Sequence, residues 1–386
     1  MSARARARTR NTQQNKIDLM SVVIDNNNSK RALETLEVSE QPAAKKVKKA
    51  PKLHPIPMPD PPTLQAGQYT TEQLRAVLNE REFVVITGVL NAAECAEFKQ
   101  SFYDDYASIY DANDAEKKPL GLNLADVSTL KPEIHPPWKG NGIVNVTGAT
   151  GLLTLERLRL KRAVCDPFMK YYSVDDPELL ASAPDRWSVY TPGNVRSGLK
   201  PHIDSNPLHP QRAAEEDVIQ GVLIIQKSST PDQGFVVHPG FANDSGRWAA
   251  GEPPAKDEDW RPIPESALGE IGRGWVINPP SGSLILWKGG AVHGNSSGGG
   301  KRTGIGRIAA YIAKYPWARM SEDAKKKVEL AHVNRVTHGH NLVRPQKQTP
   351  GGFWMGPKIK WTFGDARLTN YATVADLPTG LRRPPN

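Results

Sequence analysis

The sequence contains only two cysteines, Cys95 and Cys165, among 386 residues. A disulfide framework is therefore excluded, and we expect a reducing intracellular location, either nucleus or cytoplasm. The chain also lacks any apolar run approaching the roughly 18 residues that a membrane-spanning helix requires. Its first 20 residues contain no hydrophobic segment of the kind found in secretory signals. These absences argue against a membrane protein and against a secreted one.

The net charge of +9 is concentrated near the N-terminus, where the first 60 residues hold 12 Lys and Arg against 6 Asp and Glu. Residues 1–66 combine charge, polar runs and proline with few aromatic residues, which predicts a disordered basic tail. The clusters at 30–31 and 45–49 resemble a bipartite nuclear import signal. There are two alternatives to an import signal. The tail could only add solubility, or it could contact nucleic-acid phosphates without sequence specificity.

From residue 67 to residue 386 we predict one folded domain. Helices are expected over 71–78, after Asn91 with Glu94 completing a capping box, within 152–164, and over 321–330. Short strand-like runs then follow closely between about 185 and 316, with Gly, Pro, Asn and Asp between them. This spacing predicts a mainly β core, either a sandwich or a jelly roll.

The most informative motif is the tripeptide His202-Ile203-Asp204. In an extended strand, side chains two residues apart point to the same face, so His202 and Asp204 can reach one metal ion. One imidazole and one carboxylate are two of the three protein ligands in the facial triad of non-haem Fe(II) sites. Two polar residues in a surface loop would also explain the tripeptide, so the surrounding sequence must distinguish a metal site from such a loop.

That context comes from His293 and Arg307. His293 follows the apolar, strand-like run GSLILW, which ends in KGGAVHGN, and it is well placed to be the third ligand. Beyond a glycine-rich loop, Arg307 opens the next apolar run, RIAAYIAKY. An arginine at that position is suited to a bidentate grip on a dicarboxylate.

The order of these motifs resembles the phytanoyl-CoA dioxygenase-like branch of the Fe(II)/2-oxoglutarate-dependent oxygenases, over about residues 80–316. KPHIDSNP is similar to the metal-binding strand of that family, and PPSGSLILWKGGAVHGN to the segment around its second histidine. Ser283 stands where an acid is common, and Phe241-Ala242 where Ser-His is usual. These departures leave the predicted ligands untouched.

The resemblance implies a double-stranded β-helix core, jelly-roll or cupin-like, with flanking α-helices. It implies Fe(II) on His202, Asp204 and His293, and 2-oxoglutarate as co-substrate with its distal carboxylate on Arg307. Oxygen would be the second co-substrate, with succinate and carbon dioxide as products alongside a hydroxylated substrate. Halogenating members of the superfamily replace the carboxylate ligand by a small residue, so Asp204 favours hydroxylation.

Two further residues are candidates for binding 2-oxoglutarate. The spacing from His293 to Arg307 is a few residues longer than in the family, so Arg302 competes with Arg307. We favour Arg307 because it directly abuts the strand. Gln220, in the otherwise apolar run VIQGVLIIQ, could donate to a 2-oxoglutarate carboxylate if that strand backs the metal site; a solvent-facing glutamine is the alternative.

Other histidines have less support as ligands. His209 lies in the loop NPLHP, where no strand directs it, and His238 precedes a Pro-Gly turn in which we expect a structural role. His338 and His340 could suggest a second metal site. No third ligand accompanies them in the sequence, and a polar loop explains the pair equally well.

Three functions therefore compete. The first is a dioxygenase that hydroxylates a small organic substrate. The second is a nuclear oxygenase acting on nucleic-acid bases, with the same motif logic as the TET and JBP enzymes; only the basic tail supports it. The third is a non-enzymatic cupin-like binding module, which the complete triad disfavours. The sequence specifies neither the substrate nor an oligomeric state.

Overall fold

The computed structural model describes residues 54–130, 142–192, 198–205, 218–241, 261–264, 267–298, 304–343 and 361–381. Most of the predicted basic tail, His209 and Arg302 lie outside these residues. In the described part, two large sheets are flanked by helices, which confirms the predicted mainly β fold with helices.

Fifteen strands occur within the described residues. In chain order they are β1 (Ile56–Pro57), β2 (Thr63–Gln65), β3 (Phe83–Thr87), β4 (Tyr110–Asp111), β5 (Leu180–Ser182), β6 (Trp187–Tyr190), β7 (Leu199–Ile203), β8 (Ile219–Gln226), β9 (Gln233–His238), β10 (Arg261–Pro262), β11 (Trp275–Ile277), β12 (Leu284–Lys288), β13 (Val292–Ser297), β14 (Arg307–Pro316) and β15 (Trp361–Thr362).

The same residues contain six α-helices: α1 (Thr71–Arg81), α2 (Ala92–Ala107), α3 (Leu153–Leu160), α4 (Arg162–Tyr172), α5 (Leu268–Ile271) and α6 (Glu322–Val333). Short 3₁₀ helices lie at Val127–Thr129, Ala149–Gly151, Pro177–Leu179, Trp317–Arg319, Asp365–Arg367 and Val374–Asp376. Of the helices in the described segments, none has both the length and the apolarity needed to cross a membrane.

Local sequence signals determine where the first helices begin. Asn91 accepts a hydrogen bond from the Glu94 N–H, and the Glu94 carboxylate accepts one from the Asn91 N–H, so the predicted capping box is confirmed. Thr70 and Gln73 make the same reciprocal pair ahead of α1. The single helix predicted within 152–164 is divided at Lys161, where the backbone is extended, and α4 then continues to Tyr172.

The strands form two facing sheets. The seven-stranded sheet has the order β2-β3-β12-β8-β14-β5, with β6 also paired to β14, and the six-stranded sheet has the order β1-β11-β9-β13-β7-β10. From β11 to β14 the chain alternates between the two sheets. An apolar cluster that includes Val222, Phe235 and Ala309 draws residues from both sheets, so their inner faces share one core.

Alternation along β14 places Arg307 in the space between the sheets. Ile308, Ala310 and Ile312 belong to the larger cluster that the helices cover, whereas Ala309 belongs to the inter-sheet cluster. Because successive side chains of a strand point to opposite faces, Arg307 and Tyr311 share the inner face with Ala309. A charged residue at the start of an apolar strand is thus directed into the interior.

Two strands, β1 and β2, lie before the predicted domain boundary at residue 67. β1 pairs in parallel with β11, and Met58 packs against the inter-sheet cluster. β2 pairs in parallel with β3, and Leu64 packs against the helix-covered cluster. The prediction that this stretch belongs to the tail is therefore wrong for its last residues. Prolines are tolerated in edge strands, so the proline-rich composition did not exclude sheet pairing.

Candidate metal centre

The structure brings His202, Asp204 and His293 together. His202 lies on β7, Asp204 directly follows that strand, and His293 lies opposite His202 on the neighbouring antiparallel strand β13. One ligand atom from each residue lies within 4.8 Å of the others, and all three side chains are buried. Two adjacent strands of one sheet thus supply the donor set that the sequence predicted.

The position of His293 differs in one respect from the sequence prediction. The prediction placed it beyond the end of the GSLILW strand, but that strand, β12, ends at Lys288 and belongs to the seven-stranded sheet. After a short turn the chain enters β13 in the opposite sheet, and His293 is its second residue. The glycines in KGGAVHGN obscured this separate strand in the sequence.

Both imidazoles are oriented by the backbone of their own strands. The Nδ1 of His202 lies 2.8 Å from the carbonyl oxygen of Lys200, and the Nδ1 of His293 lies 3.0 Å from that of Ala291. A carbonyl oxygen can only accept, so each Nδ1 carries the proton. The Nε2 atoms then face Asp204, at 3.5 Å from Oδ1 for His202 and 3.2 Å from Oδ2 for His293. This tautomer presents Nε2 lone pairs to a metal ion.

The electrostatics favour the protonation states that a metal requires. Burial and the neighbouring His293 lower the pKa of His202 to about 4. Burial raises the pKa of Asp204, but His293 and His202 outweigh that effect and hold it below its usual value. Metal ligands must be neutral imidazole and ionised carboxylate, and His202 and Asp204 meet that condition near neutral pH.

Aromatic side chains surround His293 on the inner face. Its ring centroid lies 5.0 Å from that of Trp287 and 5.7 Å from that of Phe235.

His238 lies on the neighbouring strand β9 but is not part of the cluster. It pairs with Val292, whereas His293 pairs with Val237. His238 therefore points to the opposite face of the six-stranded sheet from His293. That placement agrees with the structural role expected for His238.

Arg307 is a buried cation with little to neutralise it. Its side chain is 2% exposed, Nη1 lies 3.4 Å from Asn295 Oδ1, and the guanidinium lies 5.5 Å from the Tyr190 ring centroid. Nη2 is buried, and no hydrogen-bond partner for it is found among the described residues. Because Asn295 follows His293 on β13, this contact links the two sheets beside the ligands. Buried charges require a counter-charge, which an anionic ligand can supply.

Gln220 also faces the space between the sheets, but it is not beside Arg307. On β8 it lies opposite Trp287 of β12 and Ala313 of β14. Ala313 is six positions from Arg307, which corresponds to roughly 20 Å along the strand. Gln220 Oε1 and Trp287 Nε1 are both buried without a partner. A contact of Gln220 with 2-oxoglutarate stays a prediction.

A second group of polar residues, of which the sequence singled out His340 but not Asp185, lies within electrostatic range of the triad. His340 Nδ1 is 2.6 Å from the buried carboxylate of Asp185. The His340 ring centroid lies 6.3 Å from that of Tyr311, which faces the inter-sheet space. The His338 side chain is completely buried, and within the described residues the triad is the only cluster that could hold a metal ion. A second site on His338 and His340 has no support there.

No protein-family model and no curated protein matches the sequence. Solved structures share its fold at low identity. JW0805, a hypothetical protein of Escherichia coli, superposes with a TM-score of 0.53 at 16% identity, over 83% of this chain and 84% of that chain. A proposed oxidoreductase of Salmonella typhimurium LT2 gives a TM-score of 0.53 at 15% identity, over 83% and 85%.

HygX of Streptomyces hygroscopicus, solved with nickel and 2-oxoglutarate bound, is more distant. Its TM-score is 0.41 at 14% identity, over 64% of this chain and 88% of that chain. At these identities the comparisons show a shared fold alone, and only the two structures with TM-scores of 0.53 support that conclusion. Assignment of chemistry therefore depends on the residues of this chain.

Proposed function

We propose that the protein is an Fe(II)- and 2-oxoglutarate-dependent oxygenase that hydroxylates a small organic substrate. The observation that carries the proposal is the buried cluster of His202, Asp204 and His293, with both Nε2 atoms turned toward the carboxylate. Two histidines and one carboxylate are the donor set of non-haem Fe(II) sites that keep positions open. A structural zinc site would close its coordination with four protein ligands, and no fourth is found among the described residues.

The order of strands supports the finer description of the fold. β7, β13, β9 and β11 are neighbours in one sheet, and β6, β14, β8 and β12 are neighbours in the other. We assign this pattern to the double-stranded β-helix, in which metal ligands lie on the inner face of one sheet. His202 and His293 occupy that face on adjacent strands.

Each polar residue of the site then has a separate task. Bound Fe(II), with 2-oxoglutarate and oxygen, supplies an oxidant for a C–H bond of the substrate, with succinate and carbon dioxide as co-products. His202, Asp204 and His293 hold the metal. Arg307 neutralises the distal carboxylate of 2-oxoglutarate, which fits its buried and unpaired Nη2.

The apolar neighbours protect the site from water. Phe235 and Trp287 stack near His293 from opposite sheets, and both are buried. They limit the directions in which the His293 ring can move and keep bulk solvent from one side of the centre. Water exclusion strengthens the electrostatic interactions of Arg307 and prevents side reactions of a strong oxidant.

Matched substitutions of two buried histidines test the proposal. The full chain should bind one Fe(II) and form succinate from 2-oxoglutarate. His293→Gln should abolish both Fe(II) retention and turnover, whereas His238→Gln should keep both, since His238 points to the other face of the same sheet. Metal content by mass spectrometry and succinate formation are the measurements. Full iron retention by His293→Gln would overturn the assignment.

A further inference from the structure

His340 is held in one orientation by Asp185. Its Nδ1 lies 2.6 Å from Asp185 Oδ2, while Asp185 Oδ1 accepts a hydrogen bond of 2.7 Å from the Arg186 backbone N–H. The Asp185 side chain is 1% exposed, and the His340 side chain is 31% exposed. With Nδ1 engaged, the opposite nitrogen Nε2 is the atom left to meet a ligand. No described residue is found as its partner.

His340, Asp185 and Arg186 together carry a net positive charge. Burial lowers the pKa of His340, but the Asp185 carboxylate outweighs it by its charge and its hydrogen bond, and the pKa rises to about 9. The His340–Asp185 pair is neutral overall, and the nearby Arg186 adds a further cation. Arg186 donates from Nη1 to the amide oxygen of Asn145 at 3.2 Å, and its Nε lies 4.0 Å from Asp185 Oδ1, so His340 and Arg186 share one carboxylate.

This group of charges lies within electrostatic range of the metal centre. The negative charge of Asp204 favours protonation of His340, and His340 in turn contributes to lowering the pKa of His202. The His340 ring approaches Tyr311, which shares the inner face of β14 with Arg307. Tyr311 lies within electrostatic range of both Arg307 and Asp185. His340 and Arg307 therefore both lie within range of Tyr311, and the proposed function uses only Arg307.

A charged imidazole is a poor proton acceptor but a good hydrogen-bond donor to an anion. We propose that His340, oriented by Asp185 and accompanied by Arg186, binds a carboxylate or phosphate group of the primary substrate. The inference rests on the proposed function, because it takes 2-oxoglutarate to occupy Arg307. It specifies an anionic substrate class for the oxygenase.

The test uses the full chain labelled with [13Cε1]histidine and three probes: butyrate, inorganic phosphate and the neutral butyramide. The His340 resonance is assigned by its loss in His340→Gln. Butyrate or phosphate should shift that resonance, and butyramide should not. Calorimetry should show affinity for the responsive anion at least tenfold weaker in His340→Gln and in Asp185→Asn. Lys326→Gln removes an exposed positive charge on α6 and should leave affinity unchanged.

A shift with butyrate assigns a carboxylate substrate, and a shift with phosphate assigns a phosphorylated one. Absence of a response to both anions overturns the inference. It is also wrong if His340→Gln raises the KM for 2-oxoglutarate as much as Arg307→Ala, because His340 would then bind the co-substrate. If the unsubstituted chain binds no iron but its His340 resonance still shifts with an anion, the proposed function is overturned instead. His340 is partly exposed, so His340→Gln should fold even if Asp185→Asn does not.

Discussion

Substitution of Arg307 by alanine should weaken 2-oxoglutarate binding strongly. The guanidinium is buried, and its Nη1 makes a long hydrogen bond of 3.4 Å to Asn295 Oδ1. Its Nη2 has no hydrogen-bond partner among the described residues. A hydrogen bond to a charged group contributes roughly 1.5–3 kcal/mol. At about 1.4 kcal/mol for each factor of ten, the KM for 2-oxoglutarate should rise about 10- to 150-fold. Arg307→Lys should give an intermediate value, because it keeps the charge and loses the planar fork.

The assay is succinate formation as a function of 2-oxoglutarate concentration, with thermal unfolding of each variant measured in parallel. Arg307→Ala removes a buried charge whose Nη2 has no hydrogen-bond partner among the described residues, so the free energy of unfolding should be unchanged or higher. Arg302→Ala is the matched control and should change the KM by less than about threefold, the usual range for a substitution outside a binding site. The opposite ranking would refute the reasoning and assign the co-substrate to Arg302.

Three further predictions concern the fold. A chain that starts at residue 54 should retain turnover. One that starts after residue 67 loses β1 and β2 and should be less stable by about 3 kcal/mol or more in urea unfolding, since it lacks the packed side chains of Met58, Leu64 and Ala66. Gly198→Ala should lower stability and iron retention more than Gly67→Ala: both have positive φ, but only at Gly198 would the new Cβ meet a backbone oxygen, that of Asn295, at 2.0 Å. Lys314→Met should raise the free energy of unfolding at pH 7, since burial lowers the pKa of Lys314 below 10.5. The difference in unfolding free energy between the variant and the unsubstituted protein should shrink as pH rises through the lowered pKa toward 10.5. A difference that does not change with pH would contradict this reasoning.

The sequence predicted those parts of the site that depend on local geometry. The two-residue period of a strand was enough to place His202 and Asp204 together, and a polar residue opening an apolar run was enough to single out Arg307. The capping box of Asn91 and Glu94 was likewise readable, because all of its atoms belong to one helical turn. In each case the pattern and its structural consequence lie within a few residues.

Features that depend on distant pairing could not be predicted. Asp185 and His340 meet only because the chain after α6 returns to the sheets, and neither residue lies in a motif that indicates the other. The same holds for β1, whose two residues add to the edge of β11. His338 and His340 suggested a metal site from their spacing, yet only the tertiary structure shows that His340 pairs with a carboxylate instead.

The orientation of the two histidine ligands is encoded in the backbone rather than in distant side chains. Each Nδ1 donates to the carbonyl of the residue two positions earlier, Lys200 for His202 and Ala291 for His293. A carbonyl at that position exists whatever the side chain, so the tautomer depends on the path of β7 and β13. That path includes a register shift between His293 and Asn295, next to Gly198. Backbone geometry at this irregularity therefore controls the site more directly than the side chains that flank it.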